Sequence, residues 1–279
     1  MGINLHHDAG RPAPMSHYVS MYAQREEAGD PGPADLSAAA GEAVGESGGS
    51  PTHYARRVTS FRGRHSALSD KQQQTWERRW PEIGAEARDP EGRPIVLDTD
   101  RWFGRHSPLL LEIGCGTGIS TAAMAQLEPD LDVIAVEVYK RGLGQLLSAI
   151  DRSGITNIRL VQGDGVDVLE HSLSTASLTG VRVYFPDPWP KARHQKRRLL
   201  QPETMALIAD RLKPGGILHS ATDHMGYAEH IAEVGDAEPR LRRVGLDADL
   251  PISVARPETK YERKALAGPV VTELLWERR

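Results

Sequence analysis

The chain has 279 residues, 26% of them charged and 39% hydrophobic, a balance that fits a soluble globular protein of one extended domain or two small ones. One cysteine excludes a disulfide framework and a cysteine-based zinc site, and suits the reducing cytoplasm. The formal charge of −4 speaks weakly against a nucleic acid partner, no run approaches the ~18 apolar residues of a membrane span, and the first residues lack the apolar core of an export signal.

The charge is unevenly placed. Residues 1–52, rich in Gly, Ala, Ser and Pro, hold two basic residues (Arg11, Arg25) and seven acidic ones. Such a stretch buries too little apolar surface to offset its ordering entropy, and it is expected to be a disordered acidic tail. The remainder carries 32 basic and 31 acidic residues. Between Arg56 and Trp80 there are seven basic residues against two acidic. A second cluster holds Lys191, Arg193, Lys196, Arg197 and Arg198. Two basic patches on a near-neutral body suit a phosphate backbone. Trp76 and Trp80, four apart on a helical stretch, read as packing residues.

From about residue 107, short apolar runs alternate with helical patterns. Strands are expected at 109–113, 133–136, 158–161, 181–184, 216–221 and 270–276. Helices are expected at 118–127, 142–152, 165–171 and 202–213, the last opening on Pro202 and ending at Lys213-Pro-Gly-Gly216. Strand and helix in alternation predict a doubly wound α/β fold with a mostly parallel sheet.

Ligands of such sheets bind at the carboxyl ends of the strands. The loop after the first strand is Glu112-Ile-Gly114-Cys-Gly116-Thr-Gly118, whose glycines allow close backbone approach. As a glycine loop alone it also reads as a plain turn. Ile119 stands where the dinucleotide fingerprint has a further glycine, which disfavours a nicotinamide oxidoreductase. Glu137 ends the second strand, where a carboxylate can accept ribose hydroxyls. Asp164 follows the third, where it can accept from an adenine amino group. Each alone reads as an exposed strand-end acid. Together with Glu112 they line one crevice, an arrangement that resembles the S-adenosylmethionine site of class I methyltransferases.

The fourth strand runs into Phe185-Pro-Asp187-Pro-Trp189-Pro-Lys191, then Ala-Arg193-His194-Gln195-Lys196-Arg197-Arg198. Three prolines restrict this loop, which presents Asp187 at the crevice ahead of the basic run. This stretch resembles the signature of the tRNA (guanine-N7-)-methyltransferases of the bacterial single-chain type, over about residues 53–279. Residues 60–65 and 80–84 resemble that family's N-terminal arm, which implies an arm at 53–106 and a methyltransferase domain at 107–279. The resemblance implies cofactor contacts at Glu112, Gly114, Gly116, Gly118, Glu137, Asp164 and Asp187. It implies substrate contacts at Lys191 and Asp223, and at Thr259, Lys260, Tyr261 and Glu262 of the C-terminal motif. Arg193, His194, Gln195, Lys196, Arg197 and Arg198 match its tRNA-contacting segment.

The implied reaction is methyl transfer from S-adenosylmethionine to N7 of a guanine in the tRNA variable loop, with Asp187 the catalytic candidate. No metal, membrane or obligatory protein subunit is expected, and the chain is read as a monomer or homodimer. Two other readings remain: a methyltransferase acting on another position of an RNA base, such as an amino group, and an RNA-binding module without catalysis.

Overall fold

Leu109–Ile113 and Asp132–Glu137 are buried at every position, as strands are when helices cover both faces of their sheet. The computed structural model describes residues 67–257 and 270–279. In chain order these form α1 (Asp70–Ile83), β1 (Gly84–Glu86), α2 (Thr99–Phe103), β2 (Leu109–Ile113) and α3 (Ile119–Leu127). β3 (Asp132–Glu137), α4 (Lys140–Ser153), β4 (Ile158–Gln162) and α5 (Gly165–Asp167) come next. β5 (Leu178–Tyr184), α6 (Pro202–Arg211), β6 (Leu212–Thr222), α7 (Met225–Ala237), β7 (Leu241–Val244) and β8 (Thr272–Arg278) complete them. The tail at 1–52, residues 60–65 of the arm, and Thr259, Lys260, Tyr261 and Glu262 lie outside the described residues.

The eight strands pair in the order β1-β4-β3-β2-β5-β6-β8-β7. All pairs from β1 to β6 are parallel, while β8 runs antiparallel to both β6 and β7. The chain steps outward from β2 through β3 and β4, then crosses to β5 and β6, so the switch point lies between β2 and β5. This is the doubly wound, mostly parallel α/β architecture expected from the alternation of runs, and it agrees with the class I methyltransferase fold that the resemblance implies.

Two cores flank the sheet. On one face Leu111, Val136, Val161 and Val183 pack with Leu169, Ile208 of α6 and Ile231 of α7. On the other, Leu110, Val133, Ala135 and Leu160 pack with Trp76 of α1, Ala122 of α3 and Leu146 of α4. Ile252, with the partly buried Leu250 and Val254, joins this second core. Trp76 and Trp80 stack on each other with ring centroids 3.9 Å apart, and the Lys140 ammonium lies 4.7 Å over the Trp76 ring.

Several elements depart from the sequence expectations. Gly84–Glu86, within the stretch read as an arm, adds a strand to the sheet beside β4. The helix expected at 165–171 is one α turn continued by a π turn at Val168–Ser172. β6 begins at Leu212 and carries the Lys213-Pro-Gly-Gly216 stop inside it as an irregularity in its pairing with β5. None of the helices among the described residues is long and apolar enough to cross a membrane.

Candidate active site

The glycine loop after β2 is closed on one side and open on the other. Gly114 and Gly116 have φ of +77° and +56°, the left-handed region that glycine adopts without steric cost. A β-carbon at either would meet nothing within 4 Å. Beneath them the fit is tight: a β-carbon on Gly142 of α4 would stand 2.3 Å from the Gly116 carbonyl oxygen, and one on Gly118 2.5 Å from Leu146. The amides of Gly114 and Cys115 both donate to the Val136 carbonyl, at 2.9 and 3.1 Å.

Glu137 ties this loop to the end of β3. Its Oε2 accepts from the Gly116 amide at 2.9 Å, and its Oε1 from Val138 and Tyr139 at 2.7 and 3.0 Å. A carboxylate offers about four lone-pair sites, so acceptor capacity remains. The Glu137 carbonyl takes the Gly163 amide at 3.1 Å, which draws the end of β4 into the same cluster. Asp164 caps α5, its Oδ1 accepting from Val166 at 2.9 Å. Glu112 sits differently. It is buried against α3, where the Thr121 hydroxyl donates to Oε1 at 2.9 Å and Oε2 has no hydrogen-bond partner among the described residues. Burial pushes its carboxyl pKa up, opposed by the nearby Arg182 charge. It sits at the junction of the loop and α3.

Across the switch point, the loop after β5 is held at both ends. Phe185 and Trp189 have φ of +51° and +42°, a conformation that costs a side-chain-bearing residue energy and persists only where surrounding contacts enforce it. The Phe185 amide donates to Ala221 at 2.8 Å. The Arg197 guanidinium lies 5.0 Å over the Trp189 ring, and His194 meets that ring edge-on at 5.7 Å. Asp187 stands exposed between these anchors. Asp223 is also exposed, just past β6, where the next residue, His224, accepts the Tyr227 amide on Nδ1 at 3.2 Å.

The basic run forms a 3-10 turn over Ala192–Arg197. Lys191, Arg193, Gln195, Lys196 and Arg197 are exposed and His194 is half-buried. Partial desolvation, then the charges of Arg197, Arg193 and Lys191, lower the His194 pKa. Arg198 corrects the sequence expectation. It is 5% exposed and donates to the carbonyls of Pro188 and Gly226 at 3.0 and 3.2 Å. Its guanidinium also lies 4.9 Å over the Tyr227 ring, so it faces the protein rather than a nucleic acid. The Tyr227 phenol accepts the Leu200 amide at 3.1 Å, and burial pushes its pKa up to about 12.

Comparison with known proteins agrees with this architecture. A family model described as a putative methyltransferase matches residues 106–270. A protein of Mycolicibacterium gilvum (strain PYR-GCK) named tRNA (guanine-N(7)-)-methyltransferase is 74% identical over 232 residues, which cover 81% of this chain and 88% of that one. This chain belongs to that family. A second relative of the same name, from Mycolicibacterium paratuberculosis (strain ATCC BAA-968 / K-10), is 60% identical over 269 residues, covering 95% of this chain and all of its own length.

In this member of the family, residues that sequence reasoning did not single out also shape the site. Arg88, just past β1, grips the buried Asp167 of α5 with Nε to Oδ2 at 2.7 Å and Nη2 to Oδ1 at 2.5 Å. A β-carbon on Gly163 would stand 2.3 Å from that of Ala87, so the residue just after β1 presses against the end of β4 beside Asp164. On the opposite side, Glu128 accepts the Ser253 amide at 2.7 Å, and Arg182 donates to Glu128 at 2.8 Å and to the Ser253 carbonyl at 2.9 Å. Partners this far apart in sequence leave no local pattern to find them by.

Proposed function

We propose that this protein transfers the methyl group of S-adenosylmethionine to N7 of a guanine in the tRNA variable loop, with Asp187 as the residue that carries the charge chemistry. One observation carries the reading. A glycine loop open at Gly114 and Gly116 shares the carboxyl edge of one sheet with an exposed carboxylate, Asp187, followed directly by an exposed basic turn.

The residues fit S-adenosylmethionine. The space over Gly114 and Gly116 admits a ligand against the backbone, Glu137 is suited to the ribose hydroxyls, and Asp164 to the adenine amino group. Glu112 supports this cradle from below through Thr121. When bound, the cofactor supplies a methyl group activated by its sulfonium.

The chain's own residues then have three tasks. Guanine N7 bears a lone pair and no proton, so its methylation requires no general base. It leaves a positive charge on the base, which a fixed carboxylate in a partly dry site offsets. Asp187 and Asp223 are the candidates for that role, and Asp187 is also suited to accept from guanine N1–H and its 2-amino group. Lys191, with Thr259, Lys260, Tyr261 and Glu262, holds the base and its neighbours. RNA bases are most readily held when splayed out of a stack, as in a loop. Arg193, His194, Gln195, Lys196 and Arg197 meet the tRNA backbone. The organisation that goes with this function is a dispensable acidic tail at 1–52, an arm at 53–106 that adds to the tRNA surface, and a methyltransferase domain at 107–279. The setting is the cytoplasm, and the working unit a monomer or homodimer without an obligatory second protein.

The test is incubation of methyl-labelled S-adenosylmethionine and unmodified tRNA with the protein, followed by nucleoside analysis. The expected product is 7-methylguanosine in a variable-loop fragment. Label on an amino group, or none in the tRNA, overturns the reading.

A further inference from the structure

Tyr184 ends β5 and Phe185 opens the loop that carries Asp187. A ring of contacts leaves the chain at the first of these residues and returns at the second. Within the sheet Tyr184 pairs with Ala221, and Ala221 with Glu273. His219, two residues before Ala221, is fully buried. Its Nδ1 lies 2.9 Å from the Tyr184 hydroxyl and its Nε2 2.7 Å from Glu273 Oε2. A carboxylate only accepts, so Nε2–H donates to Glu273, while Nδ1 faces the phenol. Burial raises the Tyr184 pKa, which keeps that phenol a donor. Glu273 Oε1 in turn lies 3.3 Å from Arg256 Nε, whose side chain is 5% exposed. The Arg256 guanidinium lies 5.0 Å over the Phe185 ring, and there the ring closes.

Two features set this ring apart from polar groups merely satisfied in a core. Burying ionised groups is costly, and apolar residues of similar size commonly stabilise as well or better. Its outlets also fall at meaningful places: Phe185 stands two residues before Asp187, and Arg256 three before Thr259. The tie of Ser253 to Glu128 and Arg182 fixes the approach to Arg256 from the other side.

We propose that His219, Glu273 and Arg256 are positioning residues that fix the Asp187 loop relative to the segment entering the C-terminal motif, and so set the pose of the acceptor guanine. This rests on the activity proposed above. None of the three is required to touch cofactor or base.

The experiment compares wild type, Glu273→Gln, Arg256→Lys and the double variant by steady-state methylation of unmodified tRNA, cofactor binding by calorimetry, and thermal melting. Glu273→Gln keeps an acceptor for His219 Nε2–H and removes the charge facing Arg256. Arg256→Lys keeps the charge but loses the flat guanidinium over Phe185. Each single variant is expected to lower kcat on tRNA about 10- to 100-fold, as misplaced reactive groups do, with cofactor affinity close to wild type; melting falls in Glu273→Gln, which takes a carboxylate from a buried cation. The double variant is expected to be no worse than either single one, because the ring acts as a unit. Unchanged kcat in both single variants, or losses that multiply in the double, overturns the proposal. If Glu273→Gln does not fold, Arg256→Lys alone decides by the same kcat and affinity readings. A wild-type protein that transfers no methyl group to tRNA overturns the activity itself, and the proposal with it, before any variant is compared.

Discussion

Arg198 Nε donates to the Pro188 carbonyl from ten residues further along the chain, at 3.0 Å. The bond fastens the tip of the proline-rich loop to the start of the segment that leads into α6. Arg198→Ala therefore leaves the carbonyls of Pro188 and Gly226 without their donor and is expected to cost about 2–3 kcal/mol, as bonds to a buried charged group do. Chemical denaturation measures it. The salt dependence of tRNA affinity is expected to stay that of the wild type, because this guanidinium meets no phosphate.

The opposite pattern is expected for its exposed neighbours. Changing Arg193, Lys196 and Arg197 together to Ala should leave cofactor affinity unchanged and weaken tRNA binding strongly. The slope of log affinity against log salt should become shallower by about 0.7–0.9 for each phosphate that is no longer neutralised. Titration of tRNA at several salt concentrations decides, and an unchanged slope returns this turn to a merely solvated surface.

Asp187→Asn preserves shape, removes the charge, and puts a donor where guanine also presents donors. Single-turnover methylation is expected to fall sharply, with cofactor affinity changed much less. The loss in base discrimination is about 1–3 kcal/mol, the usual worth of a bidentate base contact. A wild-type rate would make this carboxylate structural.

Gly116 and Gly142 face each other across the cofactor loop, and their alanine variants should fail in different ways. At Gly116 the added methyl enters open space and the left-handed backbone costs about 1–2 kcal/mol. The expected result is a modest loss of stability and a large loss of cofactor affinity. At Gly142 the methyl collides with the Gly116 carbonyl, and overpacking of about 1–3 kcal/mol adds to displacement of the loop. Melting curves and calorimetric cofactor titrations separate the two; equal melting temperatures would contradict the packing argument.

Removal of residues 1–52 is expected to leave methyl transfer nearly intact, because the stretch lies outside every motif and its composition cannot supply a core. A soluble, folded truncation that no longer bound cofactor would refute this.

Much of this arrangement was legible in the sequence because it is local. β2 to β6 each contain an apolar run, and the acids and glycines come directly after those runs. What escaped is non-local. Gly84-Ala-Glu86 has no apolar run and becomes a strand only because β4 offers it a ladder. Leu241-Arg-Arg-Val244 pairs likewise with β8. In the basic run nothing local says which cation turns inward, since Tyr227 and the Gly226 carbonyl, which receive Arg198, lie beyond α6. The His219 contacts join residues 35 and 54 positions apart, so the strand expected at 216–221 gives no sign of them.

The sheet is bounded by its two shortest strands, β1 with three residues and β7 with four. A strand of that length offers an incoming chain few free amides and carbonyls, and on β7 the exposed Arg242 and Arg243, paired with Glu277 and Asp236, line the edge with charged side chains. Backbone-to-backbone growth of the sheet into a fibre is thereby discouraged from both sides. Among the described residues the parallel strands β4, β3, β2 and β5 thus lie inside the sheet, away from either edge.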